Sequence, residues 1–212
     1  ALQINMVRAA SSGHKDDVQI ITVSEPAMVW NVQNTTTYPA YIQTFTWDEE
    51  GGYYDEPMSD VIQSPESDFS PVEISFNEDM SGFGVMAPSE IQQEFTESDT
   101  WIINHGTDTL YAVQTYNSEE GMILGDVVQA NGTVTISFPV PKSGWAVLVR
   151  PTMTVHFDGK ESGRVKHNLG RFVGMQVYDS IEGQAMMDLH NIDENTCEAD
   201  FNGTFSGYLL II

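Results

Sequence analysis

Between Thr100 and Arg150 the chain is a succession of short alternating runs broken by turn residues, and this cadence limits the fold more than any other feature. Trp101-Ile-Ile enters the turn cluster Asn104-His-Gly-Thr-Asp, and Thr109-Leu-Tyr-Ala-Val-Gln-Thr-Tyr runs back. Asn117-Ser-Glu-Glu-Gly closes that run, and Met122-Ile-Leu-Gly-Asp-Val-Val follows. Asn131-Gly132 then stands between apolar runs, where both residues accept the positive φ of a tight hairpin turn. Val134-Thr-Ile-Ser-Phe and Trp145-Ala-Val-Leu-Val complete the stretch, separated by Pro139, Pro141 and Gly144.

The same pattern extends outward. Tyr41, Gln43, Phe45 and Trp47 alternate with Ile42, Thr44 and Thr46, as they must if one face of a strand is to be buried. Roughly a dozen strands at a spacing of about 8–12 residues predict an all-β fold, an antiparallel β-sandwich or jelly roll. One domain over residues 1–212 fits the length. Ser89 to Glu97 has a helical look, with Pro88 before it and Ile91 and Phe95 on one side. Asp48 to Ser70 departs from the cadence with eight acids, two glycines and two prolines, and reads as a long exposed acidic loop. No repeat at a fixed period is evident.

Charge narrows function by exclusion. The formal net charge is −23, and no lysine or arginine occurs between Asp16 and Pro141. Phosphate backbones need a lysine and arginine footprint, so nucleic acid is not an expected partner. Anionic membrane surfaces would repel the chain, and no apolar run approaches the ~20 residues of a membrane helix. With Cys197 alone, no intramolecular disulfide can form, and the fold must rest on core burial. The opening Ala1-Leu-Gln fits either loss of an initiator methionine or cleavage of a leader.

The chemically richest stretch is Trp47 to Glu56. Asp48, Glu49, Glu50, Asp55 and Glu56 around a Gly-Gly pivot could wrap a calcium ion, a hard cation that takes several oxygens in flexible geometry. Trp47, Tyr53 and Tyr54 could offer flat faces to a sugar or a protein partner. The opposing reading is a solvated loop whose aromatics fold back on the sheet. Asn191 to Asn202 begins like a calcium loop, but Thr196 stands where glycine is needed and Asn202 where the closing glutamate belongs. Lys160, Arg164, Lys166 and Arg171 form a basic cluster that could dock on an acidic surface, another copy included, or neutralise nearby acids within the chain.

Catalytic signals are weak. The five histidines lack metal-ligand spacing, no nucleophile elbow or phosphate loop occurs, and Cys197 has no local activator. A pair of carboxylates on separate strands, Glu73 among the candidates, would support hydrolysis, but with 31 acids any pairing is arbitrary. Three Asn-x-Thr triplets, at Asn34, Asn131 and Asn202, are near the number chance supplies.

The expected function is therefore that of a non-enzymatic structural or surface protein, a β-sandwich subunit on the exterior of a larger assembly. A virion decoration or fibre component, or a cell-surface filament subunit, fits this description. Its partners would be copies of itself or another protein of the assembly, at an extracellular or virion surface, with the cytoplasm as the other setting. The alternative is a soluble calcium-dependent, lectin-like module that binds carbohydrate, and the third reading is a two-carboxylate β-sandwich hydrolase.

Overall fold

The computed structural model describes residues 18–34, 39–63, 71–117, 119, 121–181 and 183–212. It is all β, with fifteen strands in two antiparallel sheets in a sandwich-like arrangement and no helix among the described residues. The strands fall into three units of the same form, long, short, very short, short, long. The first unit is β1 (Gln19–Gln33), β2 (Tyr41–Asp48), β3 (Tyr53–Asp55), β4 (Asp60–Gln63) and β5 (Pro71–Ala87). The second is β6 (Ile91–Asn104), β7 (Ala112–Asn117), β8 (Gly121–Ile123), β9 (Asp126–Ala130) and β10 (Thr133–Val149). The third is β11 (Met153–Lys166), β12 (Met175–Asp179), β13 (Gln184–Ala185), β14 (Asp188–Asp193) and β15 (Thr196–Ile211).

Pairing repeats with the units. In each, the first long strand pairs along the last with a register shift at mid-length. The two short strands divide the last long strand between them. The second strand takes its C-terminal half and the fourth its N-terminal half. The chain thus has a threefold internal repeat that its sequence does not advertise.

Sequence explains the two halves. Val72-Glu-Ile-Ser-Phe76, Val134-Thr-Ile-Ser-Phe138 and Cys197-Glu-Ala-Asp-Phe201 alternate, and in each the first, third and fifth side chains are buried. That is a sheet with one wet face. The C-terminal halves are nearly continuous apolar runs, Phe83-Gly-Val-Met-Ala87, Trp145-Ala-Val-Leu-Val149 and Tyr208-Leu-Leu-Ile-Ile212, as strands covered on both faces require. Ser-Gly joins the halves each time, at Ser81-Gly82, Ser143-Gly144 and Ser206-Gly207. A Cβ on these glycines would lie 2.1, 2.0 and 2.2 Å from the carbonyl oxygens of Phe45, Tyr116 and Tyr178 respectively, so only glycine lets the neighbouring strand approach.

The units interlock in a ring. β3 of the first pairs with β14 of the third, which joins ten strands into one sheet, while the second unit forms the five-stranded sheet. β8 of the second lies beside β4 of the first, and Val128 of β9 bridges to Gly183, just before β13.

Two expectations are corrected. Ser89 to Glu97 is not helical, since β6 begins at Ile91 and pairs with β10. Ile91 and Phe95 share a strand face as readily as a helix face, because a separation of four residues satisfies both periods. The stretch 48–70 is not one loop, since β3 and β4 lie within it and positions 64–70 fall outside the described residues.

Candidate binding site at the threefold axis

Each unit sends one glutamine to the backbone of the next. Gln43 on β2 donates to Met175 O at 3.0 Å and accepts from Met175 N at 2.6 Å. Gln176 on β12 does the same to Val113, at 2.8 and 2.9 Å. Gln114 on β7 closes the ring on Ile42, at 2.7 and 2.8 Å. A tyrosine hydroxyl donates to each glutamine oxygen as well, from Tyr41, Tyr178 and Tyr116 respectively. Three further amides work within units, Gln63 on Ala40, Gln129 on Tyr111 and Asn191 on Val173. A primary amide carries a donor and an acceptor at the spacing of a backbone N–H and C=O, so it can stand in for a strand where no strand fits. Buried backbone groups left unpaired would be costly, and these amides remove that cost where three strands meet.

The middle strands β2, β7 and β12 thus converge on a common axis, where a cavity of about 410 Å³ opens. It is lined by equivalent residues of all three units, among them Gln43, Gln114 and Gln176. The segments leading into β4, β9 and β14 frame its mouth. There Met58, Leu124 and Met186 stand at equivalent positions two residues before Asp60, Asp126 and Asp188, and are 87%, 76% and 81% exposed. Half of the chain's ten methionines line the cavity. Every charged residue of the lining is acidic, namely Glu56, Asp60 and Asp188.

Glu56 breaks the threefold relation, since its equivalents are Met122 and Gln184. Glu56 is exposed where it lines the cavity, although protein atoms crowd around its carboxyl. Desolvation therefore pushes its carboxyl up to about 7, partly offset by a hydrogen bond with the Gln43 side chain. Burial likewise raises the Tyr41 phenol well above its ordinary value, with Glu56 adding to the effect.

The five carboxylates of the Trp47–Glu56 stretch do not converge. Asp48 accepts from the N–H groups of Glu50 and Gly51 and shapes the turn, Glu49 and Glu50 are exposed at its tip, Asp55 pairs with His190, and Glu56 turns to the axis. Among the described residues no group of three or more His, Cys, Asp or Glu side chains is placed to hold a metal ion. The aromatics fold back on the sheet. Tyr54 packs edge-on against Phe83 and Phe172, Trp47 against Tyr54, and Tyr53 lies 4.4 Å from the His190 ring. Trp47 remains 49% exposed, so it alone of the three offers much of a free face.

His190 was not singled out by sequence, because its partner lies across a strand pairing between units. It belongs to a cross-strand row, Arg164, Glu198, His190 and Asp55, on β11, β15, β14 and β3, in which each carboxylate stands opposite a nitrogen-bearing side chain. Arg164 bonds Glu198 at 2.6 Å, which is neutralisation within the chain. Lys160 and Lys166 are exposed on β11, while Arg171 is turned inward, donating to Phe172 O and Ile212 O at 3.0 Å. The basic cluster therefore divides into an exposed β11 face and one anchor of the last strand. Glu73 is exposed on β5, opposite Asn31 and Ile62 rather than another acid. The sequence signal for the axial site was available in Asp60-Val-Ile-Gln63, Asp126-Val-Val-Gln129 and Asp188-Leu-His-Asn191, three runs that end on an amide and follow the mouth residues.

Comparison with protein-family models, with curated proteins and with solved structures finds no match to this chain.

Proposed function

We propose that this chain is a non-enzymatic surface protein that acts by binding, with the axial cavity as its working surface. The observation that carries this reading is the cavity itself, held open where three units meet and rimmed by Met58, Leu124 and Met186. Ligand pockets are commonly concave sites of ~300–1,000 Å³ with apolar walls and a few placed polar groups, and this one is of that kind. The exposed rim favours the same conclusion, since apolar side chains repeated around an opening gain most from being covered. The lining hydroxyls are engaged structurally, Thr44 with Ser59 and Thr115 with Ile123 O, and no histidine or lysine lines the cavity beside them. In this reading the acidic exterior keeps the protein dispersed or orients it within an assembly.

Binding of a neutral environment-sensitive dye such as Nile red tests the reading. Wild-type protein is expected to enhance its fluorescence with one-to-one saturation, and Ala185→Phe, which fills the cavity, should abolish this while the melting transition is kept. Enhancement that survives the filled cavity would place binding elsewhere and sink the reading.

A second reading has one observation in its favour. Glu56, with its carboxyl at about 7, shares the cavity with Asp60 and Asp188, and a carboxyl poised near neutrality beside other acids is an arrangement that serves acid–base hydrolysis. It ranks lower because the walls are methionine-rich and Tyr41, fully buried, is the lone aromatic of the lining. Turnover of chromogenic glycosides that disappears in Glu56→Gln would decide for it.

A further inference from the structure

The threefold relation supplies an internal control for the axial cavity. Residues present in all three units serve the fold, whereas a residue peculiar to one unit needs another account. Glu56 is such a residue, standing where the other units place Met122 and Gln184. Glu56 is exposed on the cavity wall, and a cation held beside an exposed carboxylate is attracted more strongly where apolar walls displace water. No ion pair to Glu56 occurs among the described residues, and the other charged groups of the lining, Asp60 and Asp188, carry the same sign. The Gln43 amide, which bonds both Glu56 and the Met175 backbone, is neutral and leaves the charge unbalanced. Among the described residues, the lining holds no positive charge to meet it.

The rest of the lining describes what a cation held there would carry with it. Met58, Met122, Met175, Met186 and Met187 surround the space with flexible, polarizable thioethers, which mould around unbranched hydrocarbon better than rigid branched side chains do. A sugar would want flat aromatic faces, and an anion would meet three carboxylates.

We propose that the axial cavity is a site for a cationic amphiphile, an ammonium or guanidinium head on an unbranched aliphatic stem, the head meeting the Glu56 carboxylate and the stem lying among the methionines. The proposal rests on the reading that the cavity binds a ligand, and it adds the chemical class. Charge complementarity sets the preference for the head, and the apolar walls set the preference for the stem.

Isothermal titration with three probes of equal chain length tests it, using n-heptylammonium, 1-heptanol and heptanoate at about 0.15 M salt, where the field of distant surface charge is largely screened. Heptylammonium is expected to bind at least tenfold more tightly than heptanol, and heptanoate more weakly than either. In Glu56→Gln the advantage of the ammonium should collapse while heptanol binding is retained, which also shows that the variant is folded. Asp126→Asn, at the equivalent of Asp60 and Asp188 in the second unit but outside the lining, should leave the preference intact. Equal binding of ammonium and alcohol by the wild type would overturn the proposal and spare the binding reading. A preference unchanged in Glu56→Gln would also overturn it, by tracing the selectivity to net charge. Failure of all three probes would count against the binding reading itself.

Discussion

Gly144 stands where an inner strand half begins, and its missing side chain sets how close β7 can come to β10. Adding one methyl group there would place a carbon 2.0 Å from Tyr116 O, a contact that backbone must relieve because no flexible side chain can. Gly144→Ala should therefore cost about 1–3 kcal/mol, the range of an overpacked site, and the upper end is expected because both sides of the clash are main chain. Chemical denaturation would show a lower midpoint with an unchanged slope, whereas full stability would mean that the strands can part without loss. The same scale shows where sequence reading stops. Gln43 reads as one more polar residue on an alternating strand, yet it is 5% exposed and its partner Met175 lies 132 residues away. Nothing local distinguishes an amide that will clamp a backbone from one that will face water. Glu56 is the same case, an acid within an acidic stretch that lines a cavity to which all three units contribute. Tyr54, by contrast, packs on Phe83 and Phe172 as the fold-back reading of that stretch requires.

At the scale of elements, alternation and turn chemistry were informative because they are local. The strand runs at Val72, Val134 and Thr152, and the Asn131-Gly132 hairpin between β9 and β10, follow from period-two burial and from residues that accept positive φ. The threefold repeat escaped because its conserved marks are few and its period drifts. Ser81, Ser143 and Ser206 are 62 and 63 residues apart, but Gln43 and Gln114 are separated by 71 against 62 from Gln114 to Gln176. β15 shows what an inner half contributes. Leu209, Leu210 and Ile211 pair with β11 on one side and β12 on the other, and these three with Ile212 are at most 1% exposed. Each such side chain is worth ~1.5–3 kcal/mol on burial, so four together rival the ~5–15 kcal/mol by which a whole domain is stable. Deleting Leu209 to Ile212 should leave a chain with no cooperative thermal transition. A truncated protein that still melts cooperatively would show that β11 and β12 hold without the strand between them.

At the scale of the molecule, the distribution of charge bears on whether copies meet. Among the described residues, Lys160, Arg164 and Lys166 are exposed along one strand, β11, and Arg150 is exposed but paired with Glu90, while the chain as a whole carries −23. Arg164 is already paired with Glu198, which leaves Lys160 and Lys166 as a small positive patch on that strand. A surface subunit of an assembly can use that asymmetry head to tail, the lysine face of one copy against the acidic flank of the next, and such a contact closes into a ring or extends into a chain. Opposite charges at a rim attract weakly and across water, so the contact must weaken as salt shortens the screening length from ~30 Å at 0.01 M to ~10 Å at 0.1 M. Light scattering across that range is expected to show a defined oligomer or growing polymer at low salt that loosens at moderate salt. Lys160→Glu combined with Lys166→Glu should reduce it to 23.5 kDa throughout. Association that is indifferent to salt and to the lysines would move the interface to the apolar rim of the axial cavity, where Met58→Ser, Leu124→Ser and Met186→Ser would then disperse it. A wild-type mass of 23.5 kDa at every salt would rule out self-association through charge. Docking of the lysine face onto the acidic surface of a different protein would survive that result.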